Sequence, residues 1–60
     1  MKIYKYELQV FWGGFWQSRG HYESRKAAWQ DVVEMRHHGD PYRRYKHRVI
    51  ISKEPYYSDN

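Results

Sequence analysis

The chain has no cysteine, so neither a disulfide framework nor a thiolate metal site can reinforce its core. Long apolar runs are also missing. The longest aliphatic stretch is Val49-Ile50-Ile51, far short of the ~20 residues that span a bilayer. The opening Met1-Lys2-Ile3-Tyr4-Lys5 lacks the apolar stretch of a signal peptide. Together these absences lead us to expect a soluble cytoplasmic protein with no membrane partner. Sixty residues are close to the lower limit for a chain that folds on its own core. So short a chain also has little volume for a substrate pocket of ~300 Å³ or more.

Aromatic side chains, by contrast, make up 20% of the residues. Each ring can bury roughly 150–250 Å², so a few suffice for a small core. The rest must be exposed, and exposed aromatics are common anchors of binding surfaces. The net charge is +4, and its excess comes from one segment. Between Asp40 and Lys53, Arg43, Arg44, Lys46 and Arg48 follow one another with no acid among them.

Tyr4 to Trp12 alternates, with Tyr4, Tyr6, Leu8, Val10 and Trp12 on one side and Lys5, Glu7, Gln9 and Phe11 on the other. That is the pattern of a half-buried strand. Gly13-Gly14 breaks it, and Phe15 to Glu23 returns as the second arm of a hairpin. A two-residue turn would pair Leu8 with Arg19 and Tyr6 with His21, placing charge on the apolar face. A three-residue loop pairs Trp12 with Trp16, Val10 with Ser18, Leu8 with Gly20 and Tyr6 with Tyr22. The second register is expected, since a slip of one residue inverts every side chain. Gly20 would then lie beneath the helix.

Ser24 is a suitable helix N-cap and Gly39 a suitable C′ residue. Between them Ala28, Trp29, Val32, Val33 and Met35 form an apolar stripe, with Lys26, Gln30 and Glu34 on the solvated side. Trp29, Val32 and Val33 should therefore pack against Leu8, Val10, Val49 and Ile51. After Asp40-Pro41 a third strand is expected from Tyr42 or Arg44 to Ser52, ended by Pro55. The compact domain would span 1–55, with 56–60 a frayed tail. A right-handed crossover gives an α+β fold of order ββαβ, with a three-stranded antiparallel sheet ordered 2-1-3 and one helix on one face.

On this layout the helix-free face collects Lys5, Arg19, His21, Arg44, Lys46 and Arg48, with Phe11, Phe15 and Gln17 towards the hairpin tip. Basic side chains neutralise phosphates and aromatic faces stack on unpaired bases. The same charges would also keep a solvated strand face from aggregating. At the tip, Phe11-Trp12-Gly13-Gly14-Phe15-Trp16 suits either cross-strand aromatic pairing or a wedge into a partner. Trp12 and Trp16 fit the first role, Phe11 and Phe15 the second.

Arg19-Gly20-His21-Tyr22-Glu23-Ser24, followed by Ala28 and a helix, resembles the strand-to-helix junction of integrase arm-binding domains. Those domains place their helix after three strands, whereas here a basic strand follows it. The resemblance covers roughly twenty residues and implies DNA binding by a sheet-plus-helix unit.

The remaining chemistry is sparse. His37 and His38 are consecutive on a helix and cannot chelate from one face, and no convergent ligand set accompanies His21 or His47. The dipole explains His37 and His38 at the helix C-terminus. Ser18, Ser24, Ser52 and Ser58 show no spacing that sets a nucleophile beside a base, and no glycine loop cradles phosphate. The expectation is a non-catalytic binding protein without metal or cofactor. Its partner would be nucleic acid, engaged by Lys5, Phe11, Phe15, Arg19, Arg44, Lys46 and Arg48, or alternatively an acidic protein surface that a phage-type inhibitor would grip. Association into a homodimer through exposed aromatics is a further expectation.

Overall fold

The computed structural model describes residues 2–58, with residues 42 and 43 described by their backbone. The chain runs β1 (Lys2–Trp12), β2 (Phe15–Tyr22), α1 (Arg25–His37), a 3-10 turn (Pro41–Arg44) and β3 (His47–Ser58). All strand pairs are antiparallel and the order is β2-β1-β3, with α1 over one face. The ββαβ order and the sheet topology are those expected from the sequence.

The hairpin combines both registers considered above. Gly13 and Gly14 have φ of 69° and 91°, the positive values that a two-residue turn of the I′ kind demands. Trp12 therefore pairs with Phe15, Phe11 with Trp16 and Val10 with Gln17. Further along, Leu8 pairs with Gly20 and Tyr6 with Tyr22, as the three-residue loop would have it. The register changes between Leu8 and Gln9, where Arg19 is the extra residue of a β-bulge. The expected three-residue loop is thus replaced by a tighter turn and a later bulge.

The helix starts and stops as its caps dictate. Ser24 Oγ accepts from the Ala27 amide at 3.1 Å. At the other end Gly39 takes φ 71°, its amide donates to the Arg36 carbonyl, and Asp40 donates to Met35. That pair of bonds is a Schellman motif. The buried stripe is Ala28, Val32 and Met35; Ala28 and Val32 pack with Leu8 and Val49 of the sheet face, where Val10 is buried too. Trp29 and Val33 are exposed, at 42% and 54%, which corrects the expected packing. Successive residues advance by about 100°, so with the stripe centred between Ala28 and Val32, Trp29 and Val33 fall on its flank.

Tyr22 anchors the other flank. Its ring lies beside Gly20, and its hydroxyl donates to Asp31 of α1. Burial, reinforced by that carboxylate, raises the Tyr22 pKa well above the ordinary phenol value. Gly20 is therefore covered by Tyr22, whereas the sequence suggested the helix itself.

β3 differs most from expectation. It begins at His47, so Arg44 belongs to the 3-10 turn and Lys46 to the irregular link. Nor does it stop at Pro55. Ser52 to Pro55 bulge out opposite Lys5, and pairing resumes with Tyr4–Tyr56, Ile3–Tyr57 and Lys2–Ser58. The bulge lets a proline, which has no N–H to give a ladder, stand in the strand without ending it. Of the expected frayed tail, Tyr56 to Ser58 are paired, while residues 59 and 60 lie outside the described residues.

Candidate functional site: the helix-free sheet face

Because Leu8 and Val10 are buried beneath α1, Glu7, Gln9 and Phe11 of β1 point to the opposite face. Their cross-strand partners are His21, Ser18 and Trp16 on β2, and Ile50 and Arg48 on β3. At the centre these side chains form one hydrogen-bonded row. Arg48 Nε donates to Gln9 Oε1 at 2.7 Å, and the Gln9 amide donates to Glu7. Glu7 in turn lies 3.3 Å from His21 Nε2 and accepts from Ser52 Oγ at 3.4 Å. The Glu7 side chain is only 15% exposed, so its charge is held by neighbours on both outer strands.

Glutamate, histidine and serine in one cluster invite comparison with a nucleophilic relay. Here, however, Ser52 Oγ and Glu7 Oε1 approach the same ring nitrogen, at 3.2 and 3.3 Å. In a relay the acid holds one nitrogen and the nucleophile the other. The cluster instead braces three strands: Glu7 on β1, His21 on β2 and Ser52 on β3. Ser52 also accepts from the Glu54 amide at 3.2 Å, pinning the β3 bulge to the brace. These groups line an open depression of about 580 Å³, rimmed by Ser18, Lys53 and Glu54. Among the described residues, no group of three or more histidine, aspartate or glutamate side chains is placed to hold a metal ion.

Towards the hairpin tip the face becomes aromatic. Phe11 meets Trp16 edge-to-face at 5.3 Å between centroids, and the Arg48 guanidinium carbon stands 4.2 Å over the Trp16 ring. The indole face and the guanidinium thus hold each other in place. Phe11 remains 40% exposed beside them, and Lys46, whose carbonyl accepts from the Phe11 amide at 2.9 Å, is an exposed cation alongside.

The expected site residues therefore divide. Phe11 and Arg48 sit together on this face. Lys5, further along β1 at the bulge, is exposed, and its Nζ stands 5.5 Å from the ring of Tyr6, which packs on the helix side, so the structure does not group it with Phe11 and Arg48. Lys46 borders the face and Arg44 is exposed in the preceding turn, so the three cations do not alternate along one strand. Arg19 is turned by the bulge towards the C-terminal end of α1, where it pairs at 3.4 Å with Asp40 just beyond the helix. Phe15 pairs with Trp12 on the side of Leu8 and Val10, and Gln17 does the same opposite Val10. Trp16 takes the place assigned to Phe15. The two-residue turn that Gly13-Gly14 favours would have identified it.

No protein-family model, curated protein or solved structure matches this chain.

Proposed function

We propose that this is a non-catalytic protein that binds single-stranded nucleic acid on its helix-free sheet face. The observation that carries the reading is the layered set of Arg48 over Trp16 with Phe11 beside it. A guanidinium plane backed by an indole offers a stacking surface to an unpaired base, and Phe11 offers a second. Lys46, beside Phe11, and Arg44 in the preceding turn supply phosphate contacts to a strand laid across the face, and the exposed Lys5 of β1 is a further cation for it. Duplexes fit poorly, because their bases are already stacked on one another and leave no free face for Arg48 and Phe11.

The test is fluorescence anisotropy with labelled single- and double-stranded DNA and RNA at ~50 mM salt and above. Single strands should bind more tightly than duplexes, with quenching of tryptophan emission. With two or three phosphates engaged, log K should fall against log salt with a slope of about −1.4 to −2. Absence of binding to every probe, or a preference for duplex, would overturn the reading.

A further inference from the structure

The opposite side of the molecule carries a second surface, independent of the sheet face. Arg25 fixes which flank of α1 lies over β3. Its Nη1 donates to the Val49 carbonyl at 3.0 Å, and its guanidinium stands 5.3 Å from the Tyr6 ring. On a helical wheel, Arg36, Trp29, Val33 and Lys26 follow Arg25 on that flank within about 100°. The two acids nearest the buried stripe, Asp31 and Glu34, lie away from it, on the side that meets Tyr22 and the depression containing Arg19. Ile51, on the helix side of β3 next to Val49, is 61% exposed. The flank thus exposes Trp29 and Val33 along α1, with Ile51 towards its Arg25 end, among the cations Arg25, Lys26 and Arg36.

Two features show that this arrangement is not the helix's own requirement. The first turn of α1 contains no acid and begins with Arg25 and Lys26. Cations at the positive end of a helix dipole are unfavourable, and Lys26 makes no ion pair among the described residues. Trp29 and Val33 meanwhile expose apolar area that a rotation of the helix by about 100° would have buried. A folded chain gains from neither.

We infer that this flank docks an acidic protein segment, an amphipathic helix whose apolar side chains meet Trp29, Val33 and Ile51 and whose carboxylates meet Lys26, Arg36 and Arg25. Aliphatic Val33 and Ile51 offer no stacking plane to a base, which sets the surface apart from a nucleic-acid site. A second copy of the chain would bring like charges together across the flank. Strand addition at β3 is also obstructed, since Arg25 already occupies the Val49 carbonyl and the bulge at Ser52 to Pro55 interrupts the edge.

The experiment uses a synthetic amphipathic helix with leucine on one face flanked by glutamate, and a twin with lysine in place of glutamate. Each is titrated into isotopically labelled protein and followed by amide and indole shifts. The glutamate peptide should move the signals of residues 25–36 and 49–51 and leave those of Phe11 and Trp16 in place. Trp29→Ala and the pair Lys26→Glu with Arg36→Glu should each weaken binding by about tenfold or more. The proposal falls if the glutamate peptide shifts nothing on this flank or the lysine twin binds equally well. It also falls if single-stranded DNA moves these signals first, or if sedimentation shows the chain pairing with itself through Trp29.

Discussion

The Tyr22 ring lies so close over Gly20 that a Cβ added there would stand 3.3 Å from the hydroxyl oxygen and 3.6 Å from two ring carbons. Real Cβ contacts are rarely that tight, and Tyr22 is not free to swing, because its hydroxyl is bonded to Asp31. Small-to-large changes at such sites typically cost 1–3 kcal/mol. Gly20→Val should therefore destabilise by about that amount in urea denaturation, and Gly20→Ala by less. In a Tyr22→Phe background the tightest contact is gone, so Gly20→Ala should cost less than it does in the parent. Additive losses in that double-mutant cycle would mean the two residues do not share the strain.

The helix phase gives a second expectation. Val32 is buried against Leu8, Ala28 and Val49, and removing two methyl groups there should cost about 1–3 kcal/mol. Trp29 is larger but stands on the flank, so Trp29→Ala should cost under about 1 kcal/mol. Thermal melts of the two variants decide it. If Trp29→Ala lowers the midpoint further than Val32→Ala, Trp29 is a core residue after all.

Why the sequence misled on Trp29 and yet gave the topology has a physical explanation. Alternation in β1, a glycine pair, an N-cap serine and a C′ glycine are local signals, and local chemistry alone determined those elements. The helix stripe was ambiguous, because Ala28, Val32 and Met35 share a face with neither Trp29 nor Val33 at its centre. Choosing between the two faces depends on the sheet beneath, where small Ala28 allows close approach. The Arg19 bulge was legible only in part. The turn type favoured one register and the Leu8–Gly20 match another, and a single extra residue reconciles them. The start of β3 was lost because Arg44 and Lys46 alternate with Tyr45 like strand residues, while Pro41 initiates a 3-10 turn through Arg44 instead. The candidate face suffered accordingly: Phe11 and Arg48 were legible, Trp16 was not, Arg19 was misplaced, and Lys5 stands at the β1 bulge beside Tyr6.

His47 should make stability depend on pH. Its side chain sits opposite Val10 on the helix side of the sheet, and both ring nitrogens are buried. Desolvation lowers its pKa below the ordinary histidine value; the Tyr45 backbone acts the other way, Arg19 and Arg36 lower it further, and Asp40 raises it. The unfolded chain therefore takes up a proton near pH ~6.5 while the folded chain still resists it. Between those two values the unfolded state binds more protons, so this contribution to stability falls as pH is lowered. Melting temperature should drop between about pH 7.5 and 5, and His47→Leu should flatten part of that drop. An unchanged profile in the variant would show that His47 does not contribute to it.

Arg48 offers the most discriminating test of the sheet face, because its charge and its plane can be separated. Over Trp16 it is held by two contacts, the indole face and Gln9 Oε1. Arg48→Lys keeps the positive charge but gives up the planar, delocalised group that would lie between the indole and a base. Stacking on an aromatic platform is worth roughly 1–3 kcal/mol per base. If a base stacks there, Arg48→Lys should weaken single-strand binding by about that much while leaving the slope of log K against log salt nearly unchanged. Arg44→Gln should do the reverse, with a modest affinity loss and a slope shallower by about 0.7, the contribution of one phosphate on a single strand. Phe11→Ala should resemble Arg48→Lys. Should Arg48→Lys bind like the parent while Arg44→Gln alters the slope, the face would attract phosphates without stacking bases. Discrimination between single strands and duplexes should then disappear as well.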